Sequence, residues 1–154
     1  MKNLTLVLIA ALSVPALADN KPLAANPAAV AATKEIEKAF GFVPAFVRAM
    51  PQVLLPSWWE QTKALDLGPT ALDGKTKELI GLAVAASVPC EYCVLFHTEA
   101  ARLNGATEQE LQEAVAVATA TRGGSVVLHG MQVDKVQFKK DVERIVKSAR
   151  AAKK

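Results

Sequence analysis

Prolines and glycines divide this chain into segments of helical length, and that spacing limits the folds open to it. Between the breaks, apolar residues recur at intervals of three and four, and no run alternates between apolar and polar residues as a half-buried strand does. The low aromatic content, 5%, and the many alanines favour closely packed helices. The sequence therefore predicts an all-α protein that folds as a helical bundle.

Capping residues predict where several helices begin. Asn26 followed by a proline is typical of a helix start, Ser57 is predicted to cap a later helix, and a stronger helix is predicted to begin at Thr70 or Asp73. Thr107 and Glu110 have the spacing of a capping box, in which each residue binds a free backbone N–H of the other. These positions predict four separate helices.

Glycines predict where the helices end. Gly41 closes the first helix, and residues 104–105 (Asn-Gly) predict a Schellman-type ending after the cysteine-bearing helix. Residues 122–124 (Arg-Gly-Gly) predict a break in the next helix, followed by a short turn over residues 125–129. Asp134 is then predicted to cap the last helix.

The first 18 residues are laid out like a secretory signal peptide. Lys2 precedes an apolar run at 4–12, and Ala-Leu-Ala at 16–18 offers the small residues that a signal peptidase needs. We predict cleavage after Ala18, a single domain at 19–154 and a periplasmic location, where disulfides persist. An uncleaved anchor is the alternative, but the run is shorter than the roughly 20 residues that span a bilayer. We expect no membrane contact after cleavage.

Charge is nearly balanced along the chain. There are 18 Lys and Arg against 15 Asp and Glu, a formal net charge of +3. The basic excess lies at residues 135–154, where acidic residues are interspersed, as on a solvated helix. No basic stripe interleaved with aromatic residues is present, so we expect no binding to nucleic acid.

Both cysteines and one of the two histidines lie between residues 90 and 97. If this segment is helical, Cys90, Cys93 and His97 share one face. A histidine and a helix start both favour the reactive thiolate form of a nearby cysteine. Three interpretations stay open: a redox pair, an inert structural disulfide, and a zinc site, which needs three protein ligands and a water in its catalytic form. We favour the redox pair and predict no metal.

The segments around the cysteines resemble the alkylhydroperoxidase D and carboxymuconolactone decarboxylase superfamily. The resemblance covers about 45 residues, from Lys77 to Thr121. It is carried by Lys77-Glu78-Leu79-Ile80-x-Leu82-Ala83-Val84-Ala85-Ala86, by Cys90-x-x-Cys93-x-x-x-His97 and by Ala101-x-x-x-Gly105-Ala106. A glutamate twelve residues before the first cysteine and a histidine four after the second make the pattern more specific than Cys-x-x-Cys alone.

The resemblance implies an alkylhydroperoxidase D-like helical bundle that forms homo-oligomers, trimers or hexamers. The decarboxylase branch typically lacks the cysteine pair, so the pair implies the redox branch. It further implies that Cys93 is the attacking thiol, that Cys90 is its disulfide partner, and that Glu78 and His97 form a proton relay. The redox-active Cys90–Cys93 disulfide would then replace any separate cofactor.

The function implied by the resemblance is reduction of hydroperoxides through a dithiol/disulfide cycle, with electrons supplied by a thioredoxin-like donor. Two alternatives stay open. The same pair of cysteines can exchange disulfides with a periplasmic protein, or the chain can be a non-catalytic module, structural or metal-binding, that keeps the family's fold. Glu78 can likewise be a first-turn residue that the helix dipole stabilises.

The chain departs from the reference pattern between the cysteines. Alkylhydroperoxidase D has a histidine directly before the second cysteine, and this chain has Tyr92 there. A tyrosine, with an ordinary pKa of about 10, is a poor proton shuttle at neutral pH, so peroxidase efficiency is open. We expect His129 to serve packing or an interface, and expect one of Trp58 and Trp59 to pack inward and the other to meet a neighbouring subunit.

Overall fold

The computed structural model describes residues 26–153, which are mainly helical and contain no strand. The all-α prediction is confirmed. The predicted signal peptide lies outside the described residues. In chain order the helices are α1 (Pro27–Phe40), α2 (Ala45–Ala49), α3 (Leu55–Gln61), a π-helical segment (Thr62–Leu67), α4 (Gly74–Ser87), α5 (Glu91–Leu103), α6 (Glu108–Gly130) and α7 (Lys135–Ala152).

The described part of the chain divides into two compact units, which meet between residues 60 and 61. In the first unit, α1, α2 and α3 enclose a small apolar core formed by Ala29, Ala32, Ile36, Val47, Leu55 and Trp59. Whether the two units make one domain, as the sequence predicts for 19–154, stays a prediction.

Trp59 is the largest side chain in the core of the first unit. It is only 2% exposed, and its indole N–H donates to Oε2 of Glu35 over 2.9 Å. Buried tryptophans usually find such a partner, because an unpaired N–H away from water is costly. Trp59 is thus the inward-facing member of the tryptophan pair, while Trp58 is partly buried against the same core.

The second unit is organised around α4, which packs against both α5 and α6. The three helices meet at a core of Leu82, Ala101 and Leu111, one residue from each helix. Nζ of Lys75 and Oε1 of Glu110 lie 2.7 Å apart and join α4 to α6 at the surface. The small buried side chains of Ala85 on α4 and Ala101 on α5 leave room for the two helices to pack closely.

Most predicted helix ends are confirmed. Side-chain oxygens of the four N-cap residues accept a backbone N–H in the first turn of their helices: Asn26 from Ala28, Asp73 from Thr76, Thr107 from Glu110 and Asp134 from Gln137. The capping box is complete. Gly41 ends α1 as predicted. At the end of α5, Gly105 adopts a positive φ of 84° and the N–H of Ala106 bonds to Ala101, the Schellman arrangement.

Two predicted boundaries are wrong. Ser57 does not cap a helix, because α3 already begins at Leu55 and a proline in its first turn lacks only an N–H that a helix start leaves unpaired. The break predicted at residues 122–124 is absent, and the predicted turn at 125–129 is also part of the continuous helix α6. Each glycine costs about 1 kcal/mol in a helix, and the surrounding good helix formers and the capping box outweigh that cost.

The last part of the second unit carries much exposed apolar surface. None of the residues of α7, all within the described part of the chain, is buried. Side chains that a core would normally cover are open to solvent on α6 and α7: Val126, Val127, Leu128, Val136, Phe138, Val142, Ile145 and Val146. Within residues 26–153, every helix is too short or too polar to cross a membrane.

Candidate active site

The turn between α4 and α5 joins the two sequence segments that carry the cysteines and Glu78. Helix α4 ends at Ser87, and Val88 and Pro89 lead to Cys90 directly before α5. The backbone N–H of Cys90 donates to the carbonyl of Ala85 over 3.1 Å, which ties the new helix back to the last turn of the old one. Proline at 89 suits this position because it cannot continue α4.

Cys90 is the N-cap residue of α5, and its sulfur takes the place that a serine or aspartate oxygen usually fills. Sγ accepts the backbone N–H of Cys93 at 3.3 Å. The two residues form a disulfide, with their Cα atoms 5.3 Å apart. Both sulfurs therefore lie at the start of α5, where the unpaired N–H groups of a helix favour negative charge.

Glu78 of α4 and His97 of α5 form a close pair on the inner side of the hairpin. Nδ1 of His97 lies 2.7 Å from Oε2 of Glu78. Glu78 is 7% exposed and is the one buried charged residue within residues 26–153. A carboxylate is rarely buried without a partner. The hydrogen bond with the His97 ring therefore offsets the cost of burying Glu78.

This contact determines how His97 can handle a proton. A carboxylate accepts hydrogen bonds, so the proton of a neutral His97 ring lies on Nδ1 and Nε2 carries the free lone pair. Within the described residues Nε2 makes no hydrogen bond. On α5 the ring follows Cys93 by four residues, on the same helical face. The pair is thus a base whose orientation is fixed by a carboxylate.

Gly81 belongs to this site, although sequence reasoning assigned it no role. It lies one turn after Glu78 on α4, and a Cβ at this position would fall 2.5 Å from Nδ1 and Cε1 of His97. That separation is far inside ordinary contact, so the imidazole packs directly on the backbone of α4. Position 81 lies three residues after the glutamate and four before Ala85, so the three residues share one face of α4. This helical register is the sequence signal that could have identified it.

A groove of about 490 Å³ runs between the end of α4 and the first half of α5. Its walls are mostly aliphatic and include Ala85, Ala86, Pro89, Val94 and Leu95. Of the two disulfide cysteines, Cys90 lines the groove, whereas Cys93 is not among the described residues that do so. The groove is therefore an apolar surface beside Cys90.

Further along α5 the groove reaches Arg102, a charged residue held by two carboxylates. Its guanidinium donates to Oε1 of Glu108 over 2.7 Å and also binds Glu99. These hydrogen bonds raise the pKa of Arg102 above its already high ordinary value and lower the pKa of Glu108. The negative charges of the two carboxylates therefore offset the positive charge of Arg102 in the groove.

Tyr92 and His129 take no part in the contact between Glu78 and His97. Tyr92 is 88% exposed, so its hydroxyl does not take the place of the histidine that the reference pattern has between the cysteines. His129 lies near the end of α6 and lines a separate concavity with Leu128 and Phe138. No group of three or more His, Cys, Asp or Glu side chains within residues 26–153 is arranged to hold a metal ion.

The four predicted site residues form two contacts, the Cys90–Cys93 disulfide and the Glu78–His97 pair, and three of the four belong to the start and second turn of α5. The model of the Carboxymuconolactone decarboxylase family matches residues 54–135, more than half of the 154 residues. The chain belongs to this family. The match contains α4 and α5 in full.

The fold of this family member is that of an alkylhydroperoxidase. Its structure superposes on the crystal structure of the alkylhydroperoxidase AhpD core from Rhodospirillum rubrum with a TM-score of 0.62 and 32% sequence identity. The superposition covers 75% of this chain and 88% of the other. The resemblance predicted from the cysteine-bearing segments is therefore confirmed, and the fold and the family together support an enzyme of this superfamily.

Two similar proteins are uncharacterized. Protein 4 in the cox locus of Paracoccus denitrificans is 42% identical over 59 residues, which are 38% of this chain and 53% of that protein. A protein of Cupriavidus necator is 41% identical over 54 residues, 35% of this chain and 48% of that protein. The family member thus spans about half the length of these curated relatives.

Proposed function

We propose that this family member is an exported, thiol-dependent oxidoreductase that reduces hydroperoxides through Cys90 and Cys93. The observation that carries the proposal is the 2.7 Å contact between Glu78 and His97, because it places an oriented base four residues after Cys93. A structural disulfide has no need of such a base. The Cys90–Cys93 bond also closes a very short loop, which stabilises a fold less than a long one.

The cycle balances as a two-electron reduction. One thiolate of the pair attacks the terminal oxygen of the hydroperoxide, the O–O bond breaks, and the alcohol leaves with a proton. The resulting sulfenic acid is attacked by the second thiol, which forms the Cys90–Cys93 disulfide and releases water. A thioredoxin-like donor then returns two electrons and two protons to the pair.

Glu78 and His97 act in this proposal as a proton relay. Nε2 of His97 takes the thiol proton and returns it to the leaving oxygen, while the Glu78 carboxylate holds the ring and stabilises its positive charge. The burial of Glu78 keeps that carboxylate close to the ring and away from competing water. We expect the relay to work without Tyr92, since that side chain points into solvent.

The direct test mixes the reduced protein with an organic hydroperoxide and follows disulfide formation by mass. We expect a second-order rate constant well above that of free cysteine. The double variant Cys90→Ser/Cys93→Ser should form no disulfide. A rate equal to that of free cysteine would contradict the peroxidase proposal. In that case, fast exchange with a thioredoxin-like protein in the same sample would support the second candidate.

That second candidate is disulfide exchange with a periplasmic protein. The aliphatic groove beside Cys90 favours it, because such a groove can take apolar side chains next to a partner's disulfide. The reduction potential of the Cys90–Cys93 couple separates the two directions of electron flow. A low potential indicates a reductant and a high potential an oxidant.

A non-catalytic module, structural or metal-binding, is the remaining alternative. Purification under reducing conditions followed by metal analysis tests it, because a zinc site needs the cysteines as thiolates. Stoichiometric zinc that disappears in Cys90→Ser would favour the metal-binding module. Thiols that bind no metal and react no faster than free cysteine would favour the structural one.

Export to the periplasm is part of the proposal and rests on the first 18 residues. Fractionation of cells that express the full chain tests it. We expect the protein in the periplasmic fraction, with the mass of a chain that begins at Asp19. A full-length protein in the membrane fraction would instead support the uncleaved anchor.

We further propose that the protein assembles as a homo-oligomer, a trimer or a hexamer. The exposed apolar side chains of α6 and α7 support this, since a soluble protein seldom leaves so much apolar surface uncovered. Sedimentation analysis of the wild type should give a trimer or hexamer. Ile145→Asp, on the apolar side of α7, should dissociate it, while Lys147→Asp, on the opposite side, should not. A wild-type monomer at every concentration would contradict the proposal.

A further inference from the structure

We infer that the exposed apolar residues around the disulfide, among them Tyr92, form the docking surface for a protein that exchanges electrons with Cys90 and Cys93. The inference rests on the proposed dithiol cycle and names a contact for its thioredoxin-like partner. It gives a role to Tyr92, the residue at which this chain departs from the reference pattern.

The two cysteines are less exposed than the apolar residues next to them. Cys90 and Cys93 are partly buried, whereas five apolar residues, each within three positions of a cysteine, are exposed. We call these residues the disulfide rim: Val88, Pro89, Tyr92, Leu95 and Phe96. A protein can bring a sulfur into bonding contact with this disulfide only if its own surface also contacts the rim.

Tyr92 is the most exposed residue of the disulfide rim. Its 88% exposure exceeds the 67% of Leu95 and the 63% of Val88, and within residues 26–153 its hydroxyl makes no hydrogen bond. The fold itself therefore gains little from this side chain. Tyrosine is among the residues that most often carry the binding energy of protein interfaces, and a cluster of exposed apolar residues marks such interfaces.

The occupant of the disulfide rim is a thiol protein, not a second copy of this chain. Each turnover requires a sulfur of the donor to bond to a sulfur of the pair, and a second copy held on the rim would cover the disulfide. The apolar residues that support assembly belong to α6 and α7, whereas the rim belongs to α5 and the turn before it. The two surfaces therefore have separate partners.

Charge and shape narrow the chemistry of the partner. Pro89 and Leu95 also line the groove beside Cys90, so rim and groove form one continuous apolar surface. Glu91 is the one charged residue between positions 88 and 96, and it is exposed. Like charges across an interface oppose association. The rim thus fits a protein whose cysteine lies in an apolar surface segment, with a basic residue opposite Glu91.

The exchange at the disulfide rim balances as a two-electron transfer. A thiolate of the donor attacks one sulfur of the Cys90–Cys93 bond, and the other sulfur leaves as a thiolate and takes up a proton. The second thiol of the donor loses its proton and attacks the donor's sulfur in the mixed disulfide. This step releases the second cysteine as a thiol and leaves the donor oxidised.

Two reductants of different size test the docking surface. Oxidised Tyr92→Ser is mixed with reduced thioredoxin or with dithiothreitol, and its free thiols are counted by alkylation and mass. The rate constant with thioredoxin should fall by roughly tenfold. The rate constant with dithiothreitol should stay the same, because a small dithiol reaches the sulfurs without contacting Tyr92. Tyr92→Phe, which keeps the ring, should react like the wild type with both reductants.

Leu103→Ser is the matched control, because Leu103 is also 88% exposed on α5 but lies outside the disulfide rim. It should react with thioredoxin at the wild-type rate. The inference would be overturned by an unchanged rate of Tyr92→Ser with thioredoxin, by equal slowing with dithiothreitol, or by a wild type that thioredoxin reduces no faster than dithiothreitol does. Failure of the peroxidase cycle is seen separately, because oxidation of the reduced wild type by a hydroperoxide involves no donor.

Two synthetic dithiol peptides, identical except for a lysine or a glutamate beside the first cysteine, test the charge preference. The lysine peptide should reduce the wild type faster than the glutamate peptide. The ratio of the two rate constants should fall by roughly twofold to fivefold in Glu91→Gln and further in Glu91→Lys, and added salt should lower it in the wild type. The same ratio in all three proteins would overturn the placement of Glu91 opposite a basic residue.

Discussion

The α4–α5 hairpin and helix α7 belong to the same unit and are built in opposite ways. In the hairpin, Leu82 and Ala101 are buried and even a carboxylate, Glu78, is enclosed. In α7 the apolar side chains are open to solvent, and Ile145 is 66% exposed. The hairpin thus covers these side chains within the chain, whereas the apolar side chains of α7 are left uncovered by the described residues. The proposed chemistry and the proposed assembly surface therefore occupy separate parts of this unit.

The largest effect is expected from Glu78→Gln in the hairpin. The amide can still accept from Nδ1 of His97 but cannot stabilise a charged ring, so the rate with hydroperoxide should fall by roughly 10²-fold and its dependence on pH should change. The measurement is single-turnover disulfide formation across a range of pH. The matched control on α7 is Glu143→Gln, which should leave the rate unchanged. Unaltered kinetics in Glu78→Gln would remove the relay from the mechanism.

The next effect concerns stability and tests the comparison directly. Leu82→Ala removes a side chain that is 3% exposed and should lower the free energy of unfolding by about 2–5 kcal/mol. Ile145→Ala on α7 should change it by less than about 0.5 kcal/mol in dilute protein. Urea unfolding at low protein concentration measures both. A cost for Ile145→Ala that matches Leu82→Ala, and does not vary with concentration, would mean that α7 packs within its own chain.

A smaller effect is expected from Gly81→Ala, which separates reactivity from stability. The added Cβ pushes the His97 ring away from its seat, and a displacement of this size should slow the proton-dependent step by roughly tenfold. Helix α4 itself should gain about 1 kcal/mol at most from the better helix former. The control is Gly123→Ala in α6, where the described chain has no atom within 4 Å of the new Cβ.

The Gly81→Ala experiment compares the reaction rate with the urea midpoint of unfolding. A slower rate with an unchanged or higher urea midpoint in Gly81→Ala, and an unchanged rate in Gly123→Ala, would support a positioning role for Gly81. A lower midpoint together with the slower rate would indicate that the substitution damages α4 as a whole, and the positioning role would then be wrong.

The smallest effect is a pH dependence of stability from the surface ion pairs. The hydrogen bond from Arg102 lowers the pKa of Glu108, and that from Lys75 lowers the pKa of Glu110. A carboxyl whose pKa is lower in the folded state stabilises the fold above the unfolded pKa of about 4.3. That contribution is lost as the pH falls through the folded value.

Glu108→Gln measures this contribution. The variant should be slightly less stable than the wild type at pH 7, and the two unfolding midpoints should converge as the pH falls below about 4. The difference should be small, because both partners are exposed to solvent. A difference that persists unchanged at acid pH would show that the lost contact is not electrostatic.

Much of the fold and the site follows from local sequence signals. The caps act within one turn, so Thr107 alone predicts where α6 begins, and the same signal narrows the start of α4 to Thr70 or Asp73, of which the structure uses Asp73. The spacing of Cys90, Cys93 and His97 places them on one face of α5. Each of these signals depends on neighbours at most four residues away.

The features that sequence reasoning missed depend on tertiary or summed effects. Helix α6 continues through Gly123 and Gly124 because the favourable contributions of its other residues, summed over 23 residues, exceed the cost of the two glycines. No single residue predicts that sum. The role of Gly81 appears only when α5 is brought against α4, since the ring that fills its space is sixteen positions away. The groove beside Cys90 likewise has walls from both α4 and α5, so it forms only when the two helices pack together.

The proposed reactive groups lie within one helical hairpin, from Glu78 to His97, and this has a consequence for biosynthesis. Contacts between residues so near in sequence form with little loss of chain entropy and are among the first that a folding chain can make. The contacts of the hairpin involve no residue of α7. The thiol centre can therefore be assembled before the apolar surface of α7 is covered by any second copy of the chain.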